Sequence, residues 1–331
     1  MEGFRAIEFQ QTRDFSRKLN ATFEFLRQNF KPLFKSILII AGPSTLVGSL
    51  MVGSLIGDLM NFTQAMQAGG ANAENGSDYF LSVSFWLQMI LMFVFLTVSF
   101  VVGLAAINAY LVIYDKKKSN EIDVNEVWQQ VQKMFWPYLG TSVLFFVLFI
   151  LAYLVLLIPI IVLGNVSPFL IFFGFVFFIG AIFFLLFSSS LTYFIQTYEK
   201  KNFIDSLVRS FRLVNNGKWW STFGLTMLLY LIMSTVSSIF IMPYYVVMVI
   251  NSLHSINSGT MIEPSSAWKI WTVVFFTLYY MTNMLMAALP NVGIAFQYFN
   301  LVELKEAKGL LGQIENLGQA PAESKRPEEH Y

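Results

Sequence analysis

Six long apolar stretches leave this chain few folds to choose from. They run over about 33–57, 80–114, 137–163, 169–197, 219–250 and 270–304. A helix of about twenty apolar residues crosses the hydrocarbon core of a bilayer while closing all its backbone hydrogen bonds internally. Six such stretches in one chain predict an all-α, polytopic membrane helix bundle. Composition agrees, because 56% of the 331 residues are hydrophobic and only 12% charged, about half the charged fraction of a soluble domain. The 35 Phe exceed what a water-soluble core could hide. The second and sixth stretches, about 35 residues each, would measure roughly 50 Å as helices. They must therefore tilt, kink or project beyond the bilayer, and Pro290 is the expected kink in the sixth.

Basic residues give the expected orientation. Seven Lys or Arg precede residue 36, four lie in 115–135, five in 198–218 and four after residue 304. Together they are twenty of the twenty-one, and Lys269 alone falls on the other side, where Asp58, Glu74, Asp78 and Glu263 sit. The positive-inside rule then puts both termini in the cytoplasm. The N-terminus lacks the apolar core and cleavage site of a signal peptide, so the first span is expected to act as its own insertion signal. A bacterial inner membrane is the expected location. The expected division is a cytoplasmic amphipathic segment 1–31, a six-span domain 32–305, and a largely disordered cytoplasmic tail 306–331.

The segments before the odd spans resemble one another. Phe15, Leu19, Phe23, Leu26 and Phe30 recur at helical spacing, as do Val124, Val127, Trp128, Val131 and Phe135, and Ile204, Leu207, Val208, Phe211 and Val214. Each pattern predicts an amphipathic helix. They end at Lys31-Pro32, Trp136-Pro137 and Lys218-Trp219-Trp220. Exit motifs also correspond, Tyr114-Asp115-Lys116 with Tyr198-Glu199-Lys200 and, more loosely, Val302-Glu303-Leu304-Lys305. Three parallel two-span repeats follow, over about 8–116, 119–200 and 201–305, each preceded by an amphipathic interfacial helix. Such helices lie on the inner leaflet or pack under the bundle as collars.

Catalytic chemistry finds little support. There is no Cys, and His254 and His330 are the only two histidines, so thiol nucleophiles and clustered-imidazole metal sites are excluded. No phosphate-binding loop, GxSxG elbow or HExxH occurs, and no charge lies deep in a span. No cofactor is expected. A net charge of +1 gives no reason to expect nucleic-acid binding. Asn61 and Asn75 open glycosylation-type triplets that carry no weight in a bacterial protein. The buried polar residues are neutral: Gln88 and Asn108, Ser189 and Thr192, and Asn283, Asn291, Gln297 and Asn300. They line a polar crevice, or they join helices by hydrogen bonds worth about 0.6 kcal/mol each; the second is the simpler reading. Thr45, Ser49, Gly53 and Gly57 form a small-residue stripe that marks a close helix contact, inside the bundle or between protomers.

Phe135-Trp136-Pro137, and Ser206–Phe211 followed by Lys218-Trp219-Trp220, resemble bacterial six-helix membrane proteins related to the membrane domain attached to some glycerophosphodiester phosphodiesterases. The resemblance covers roughly 8–305. It implies a location and an architecture without the catalytic domain, whose carboxylate/His cluster is missing. Mitochondrial carriers also use three two-span repeats, but their Px[DE]xx[KR] signature is missing here. The expected function is non-enzymatic, a scaffold or accessory subunit in envelope or lipid homeostasis, with membrane lipids and a homo-oligomer or membrane-complex partner. A transporter or channel-like protein for a lipid or small neutral solute is the alternative.

Overall fold

The computed structural model describes residues 6–67, 80–258 and 266–307. Glu74, Asp78, Asn75 and Glu263, and the tail beyond 307 with His330, lie outside the described residues. Helices run over Phe15–Gln67 (α1), Val83–Lys117 (α2), Val124–Val166 (α3), Leu170–Ser188 (α4), Thr192–Tyr198 (α5), Phe203–Val214 (α6), Trp219–Ser258 (α7), Ser266–Met286 (α8) and Ala288–Glu306 (α9). They make up six segments long and apolar enough to cross a membrane, as a multi-pass membrane protein requires, with α4–α5 forming the fourth and α8–α9 the sixth.

The junctions read at Lys31-Pro32 and Trp136-Pro137 are not helix ends, since α1 and α3 run through both prolines. A proline removes the donor for the carbonyl four residues earlier. At Pro32 that carbonyl belongs to Gln28, and it accepts instead from Asn120 Nδ2 at 3.4 Å. Of the three segments read before the odd spans, the third stands apart as α6, separated from α7 by Gly217 in a left-handed conformation (φ +75°). In the sixth span the interruption falls at Ala287, where the Pro290 ring would meet the carbonyl of Met286 if the helix continued.

Basic residues concentrate at one end of the bundle, and so does its tightest core. Phe9, in the extended segment before α1, is buried among Phe25, Tyr114, Phe296 and Phe299 at ring separations of 5.1–5.8 Å. Ile7 N donates to Tyr114 Oη at 2.9 Å and Arg13 N to Asn300 Oδ1 at 2.7 Å, which seats this segment under the helices. The exit acids are ion-paired. Asp115 holds Lys118 at 2.6 Å and accepts from Tyr198 Oη at 3.0 Å. Glu199 binds Arg209, Lys201 at 2.8 Å and Tyr298 Oη at 2.7 Å. Burial by itself would raise the Glu199 carboxyl, but these hydrogen bonds and the Arg209 charge outweigh it and hold the group below its ordinary range. Lys118, Lys200 and Ala307 close the three exits with left-handed residues that are not glycine.

The apolar stripes of the first and third segments are packed only in part: Leu19 and Leu26 lie against the core and Val214 is buried. Phe15, Phe23 and Phe30 stay exposed, while Lys18, Ala21, Thr22, Phe25 and Asn29 are buried. Ile204 and Val208 are exposed, while Ser206 and Ser210 are buried. Water would reverse that choice; lipid does not penalise it. The hairpin of α3 and α4 carries this furthest, for no residue in the most apolar window of α3 is buried. Those two helices do touch each other at Gly174, where an added Cβ would lie 3.0 Å from Ile160 Cα.

The small-residue stripe of α1 works within the chain. Thr45 Oγ1 meets Ser99 Oγ of α2 and donates to the Ala41 carbonyl at 2.8 Å, and Ser49 is buried. A Cβ at Gly53 would fall 2.6 Å from Val273 Cα of α8, too close for any carbon pair, whereas one at Gly57 would meet nothing within 4 Å. Gly53→Ala is therefore expected to cost ~1–3 kcal/mol by forcing α1 and α8 apart. Gly57→Ala should stay within about 0.5 kcal/mol. Melting of both variants in mild detergent checks the contrast, and equal melting points would contradict it.

Candidate functional site

The fourth span breaks at Ser189-Ser190-Leu191, and the local sequence explains both the break and its survival. A helix end leaves carbonyls without intrahelical donors, and in hydrocarbon each must find another. Backbone N–H groups still serve most of them: Ser189 N donates to Leu185 O at 3.0 Å, Ser190 N to Phe187 O at 3.4 Å and Thr192 N to Ser189 O at 3.1 Å. The Ser189, Ser190 and Thr192 hydroxyls add a second bond to each of those carbonyls at 2.7–2.8 Å. Ser188 O accepts instead from Ser210 Oγ of α6 at 2.6 Å, and Leu191 N donates to the same hydroxyl at 3.3 Å. Helix α6 thus closes the interruption through Ser210.

Beside this break lies a cavity of about 560 Å³, bounded by α2, α3, α4, α5, α7 and α9. The size falls within the ~300–1,000 Å³ of ligand pockets. Its walls are apolar, with Phe100, Phe145, Phe149 and Phe194 prominent, and its polar groups include Asn108, Ser142, Ser189, Ser190, Tyr193 and Asn291. Asn108 stands nine residues before the basic end of α2 at Lys117, roughly 14 Å along the helix. The cavity therefore lies inside the membrane-spanning half next to the aromatic core. Phe146 and Leu186 of the splayed α3–α4 hairpin form part of the wall and are exposed, so the cavity opens sideways. Both interrupted spans meet it, the sixth through Asn291, whose Nδ2 donates to the Ala287 carbonyl at 2.7 Å.

Hydrogen bonding around the rim is lopsided. Tyr138 Oη accepts from Asn108 Nδ2 at 2.8 Å and donates to Tyr193 O at 2.9 Å. Ser142 Oγ donates to Tyr138 O at 2.8 Å and lies 2.9 Å from Tyr193 Oη. Each serine hydroxyl named here has committed its single proton, leaving lone pairs that can still accept. Thr226 also borders the cavity, but its hydroxyl oxygen is itself buried, with no partner among the described residues, and is not open to the space. The rim thus offers several acceptors in an apolar hole.

The structure divides the polar residues singled out from sequence. Asn108, Ser189 and Asn291 meet in the cavity. Thr192 is buried and spent on the helix break. Gln297 donates to Thr222 Oγ1 at 2.8 Å and accepts from Lys18, and Asn300 anchors Arg13. Gln88 and Asn283 are half-buried and do not line it. Sequence reasoning missed Ser142, Tyr193 and Thr226, which look like ordinary span residues until the helices are placed. The Ser188-Ser189-Ser190 run was the available signal, because adjacent hydroxyls in an apolar span favour a broken helix.

Comparison with protein-family models, curated proteins and solved structures finds no match to this chain.

Ser210→Ala removes the group that satisfies both sides of the break. It is expected to destabilise the protein by ~1–3 kcal/mol and to speed amide exchange around Leu191. Mass-resolved hydrogen exchange in detergent reads this out; unchanged protection of Leu191 would contradict the assignment.

Proposed function

We propose that this chain is a multi-pass inner-membrane protein that takes a single-tailed or two-tailed amphiphile sideways from the bilayer into the lateral cavity. Its role is lipid handling or transport. The observation that carries this reading is an apolar, side-opening cavity placed where two spans are interrupted, with acceptor groups along its rim. Non-helical backbone at membrane depth is tolerated where it is buried in protein or lines a cavity, and discontinuous helices are a recurrent way to build a binding site there. Because the serine protons of the rim are committed, the head best suited is small, uncharged and able to donate hydrogen bonds, such as a free hydroxyl. A charged head would find no counter-ion among the lining residues.

The same reading keeps both termini on the cytoplasmic side, from the clustering of basic residues at one end. It also keeps three parallel two-span units, supported by the left-handed residue at each exit. The exposed Phe15, Phe23, Phe30, Ile204 and Val208 would then lie in the acyl boundary. A second reading, the scaffold or accessory subunit, is favoured by the bare outer half of the α3–α4 hairpin, which a partner or second copy could cover.

A diacylglycerol with a photoreactive tail, added to the protein in nanodiscs, separates the two. Cavity binding is expected to label residues 100–108, 142–149 and 226–230, and Met227→Trp, which enlarges a lining side chain that has no part in the break, should remove most of that labelling. Labelling spread over the outer hairpin and indifferent to Met227→Trp would sink the cavity reading. Chain-to-chain adducts from cysteines placed at Val155 or Phe172 would favour the scaffold.

A further inference from the structure

A second cavity, of about 440 Å³, opens at the basic end of the bundle, where the first turns of α1 and α7 converge. Arg13, Arg17, Lys18 and Lys218 line it, with Asp14 the carboxylate among the lining residues. Arg13 directs its guanidinium to the Phe9 and Glu8 carbonyls, and Arg17 lies 3.5 Å from Asp14 in an exposed pair. Among the described residues no carboxylate comes within 4 Å of the ammonium of Lys18 or Lys218.

Lys18 is the anomaly. Only 1% of its surface is exposed, yet its ammonium donates to two neutral oxygens, Ser221 Oγ at 2.8 Å and Gln297 Oε1 at 2.6 Å. The Gln297 orientation follows from its other end. Thr222 Oγ1 donates to Lys218 O at 3.2 Å and must accept from Gln297 Nε2, which turns the amide oxygen towards Lys18. A buried cation is costly without an opposite charge, and an ammonium with two bonds has a third donor left. Both convergent helix starts, of 53 and 40 residues, add positive potential, although the start of α1 is capped by Asp14, whose Oδ1 accepts from Arg17 N at 2.8 Å. Trp220, 77% exposed beside Lys218, places this end at the level where aromatic side chains meet headgroups.

We infer that this cavity is a phosphate-binding site, in which Lys18, Lys218 and Arg17 hold a phosphate oxygen set and supply the counter-charge that buried Lys18 otherwise lacks. The site is separate from the lateral cavity and does not depend on its occupant. The phosphate belongs to an anionic phospholipid headgroup or to a free phosphorylated compound, and the experiment distinguishes them.

The full-length protein in dodecyl maltoside, which contains no phosphate, is titrated with phosphatidylglycerol in mixed micelles. A parallel titration uses inorganic phosphate at constant ionic strength, and the melting temperature is followed in both. A saturable rise with phosphatidylglycerol that phosphatidylcholine does not reproduce assigns the headgroup; the same rise with inorganic phosphate alone assigns a free phosphate. In either case the exposed pair of changes Arg17→Gln and Lys218→Gln is expected to weaken the response about tenfold, the effect of losing charge-assisted contacts. Lys116→Gln with Lys117→Gln, equal in charge and outside the cavity, should leave it unchanged. Lys18→Met leaves the buried Gln297 Oε1 without its donor and is expected to lower the starting melting point, but from that lower baseline it should no longer respond to phosphate. Met227→Trp should keep the response, which separates this site from the lateral cavity. No saturable rise in either arm, or an equal loss in the Lys116/Lys117 control, would overturn the inference.

Discussion

Every backbone carbonyl inside a hydrocarbon layer must find a donor within the protein, and this chain meets that demand twice in unusual ways. At Ser189–Leu191 backbone N–H groups serve Leu185 O, Phe187 O and Ser189 O with hydroxyls adding second bonds, and Ser210 from a neighbouring helix serves Ser188 O. At the interruption of the sixth span Ala287 O accepts from both the backbone N–H and the side-chain amide of Asn291. The rest follows from those two repairs. A span that stops and restarts cannot fill the space of a continuous helix, so a gap opens beside it. The groups that repair the backbone become the polar rim of that gap, and their protons are already spent when a ligand arrives.

The second organising feature is the asymmetry between the two ends. The basic end is closed by Phe9 and its ring of aromatic neighbours, by the Asp115 and Glu199 ion pairs, and by the N-terminal segment tied to Tyr114 and Asn300. Above it the α3–α4 hairpin leans on little besides itself. A tight base and a splayed upper hairpin together make a side entrance, which suits a ligand dissolved in the bilayer better than one arriving from water.

Much of this was legible in the sequence because hydrophobic length and charge placement act locally. Six spans follow from counting apolar residues, and Pro290 from the chemistry of one ring. Gly53 was recognisable as a close contact, but its partner Val273 was not. The cavity was hidden because Asn108, Ser189 and Asn291 lie far apart in sequence, and nothing local separates a rim residue from a helix-joining one. Gln297 and Lys18 show the difficulty most clearly. Each is unremarkable alone, and only their 2.6 Å contact turns an orientation-setting lysine into a buried charge. Amphipathic stripes misled in one respect: in a lipid solvent the apolar face of Phe15, Phe23 and Phe30 need not be the packed one.

An experimental map of the protein in lipid nanodiscs tests the central claim most directly. The account predicts elongated density entering between α3, α4 and α7, ending near Thr226, Asn108 and Asn291, with residues 189–191 outside helical geometry. A continuous fourth helix, with Phe145, Phe149 and Phe194 collapsed into the space and no density between them, would contradict it.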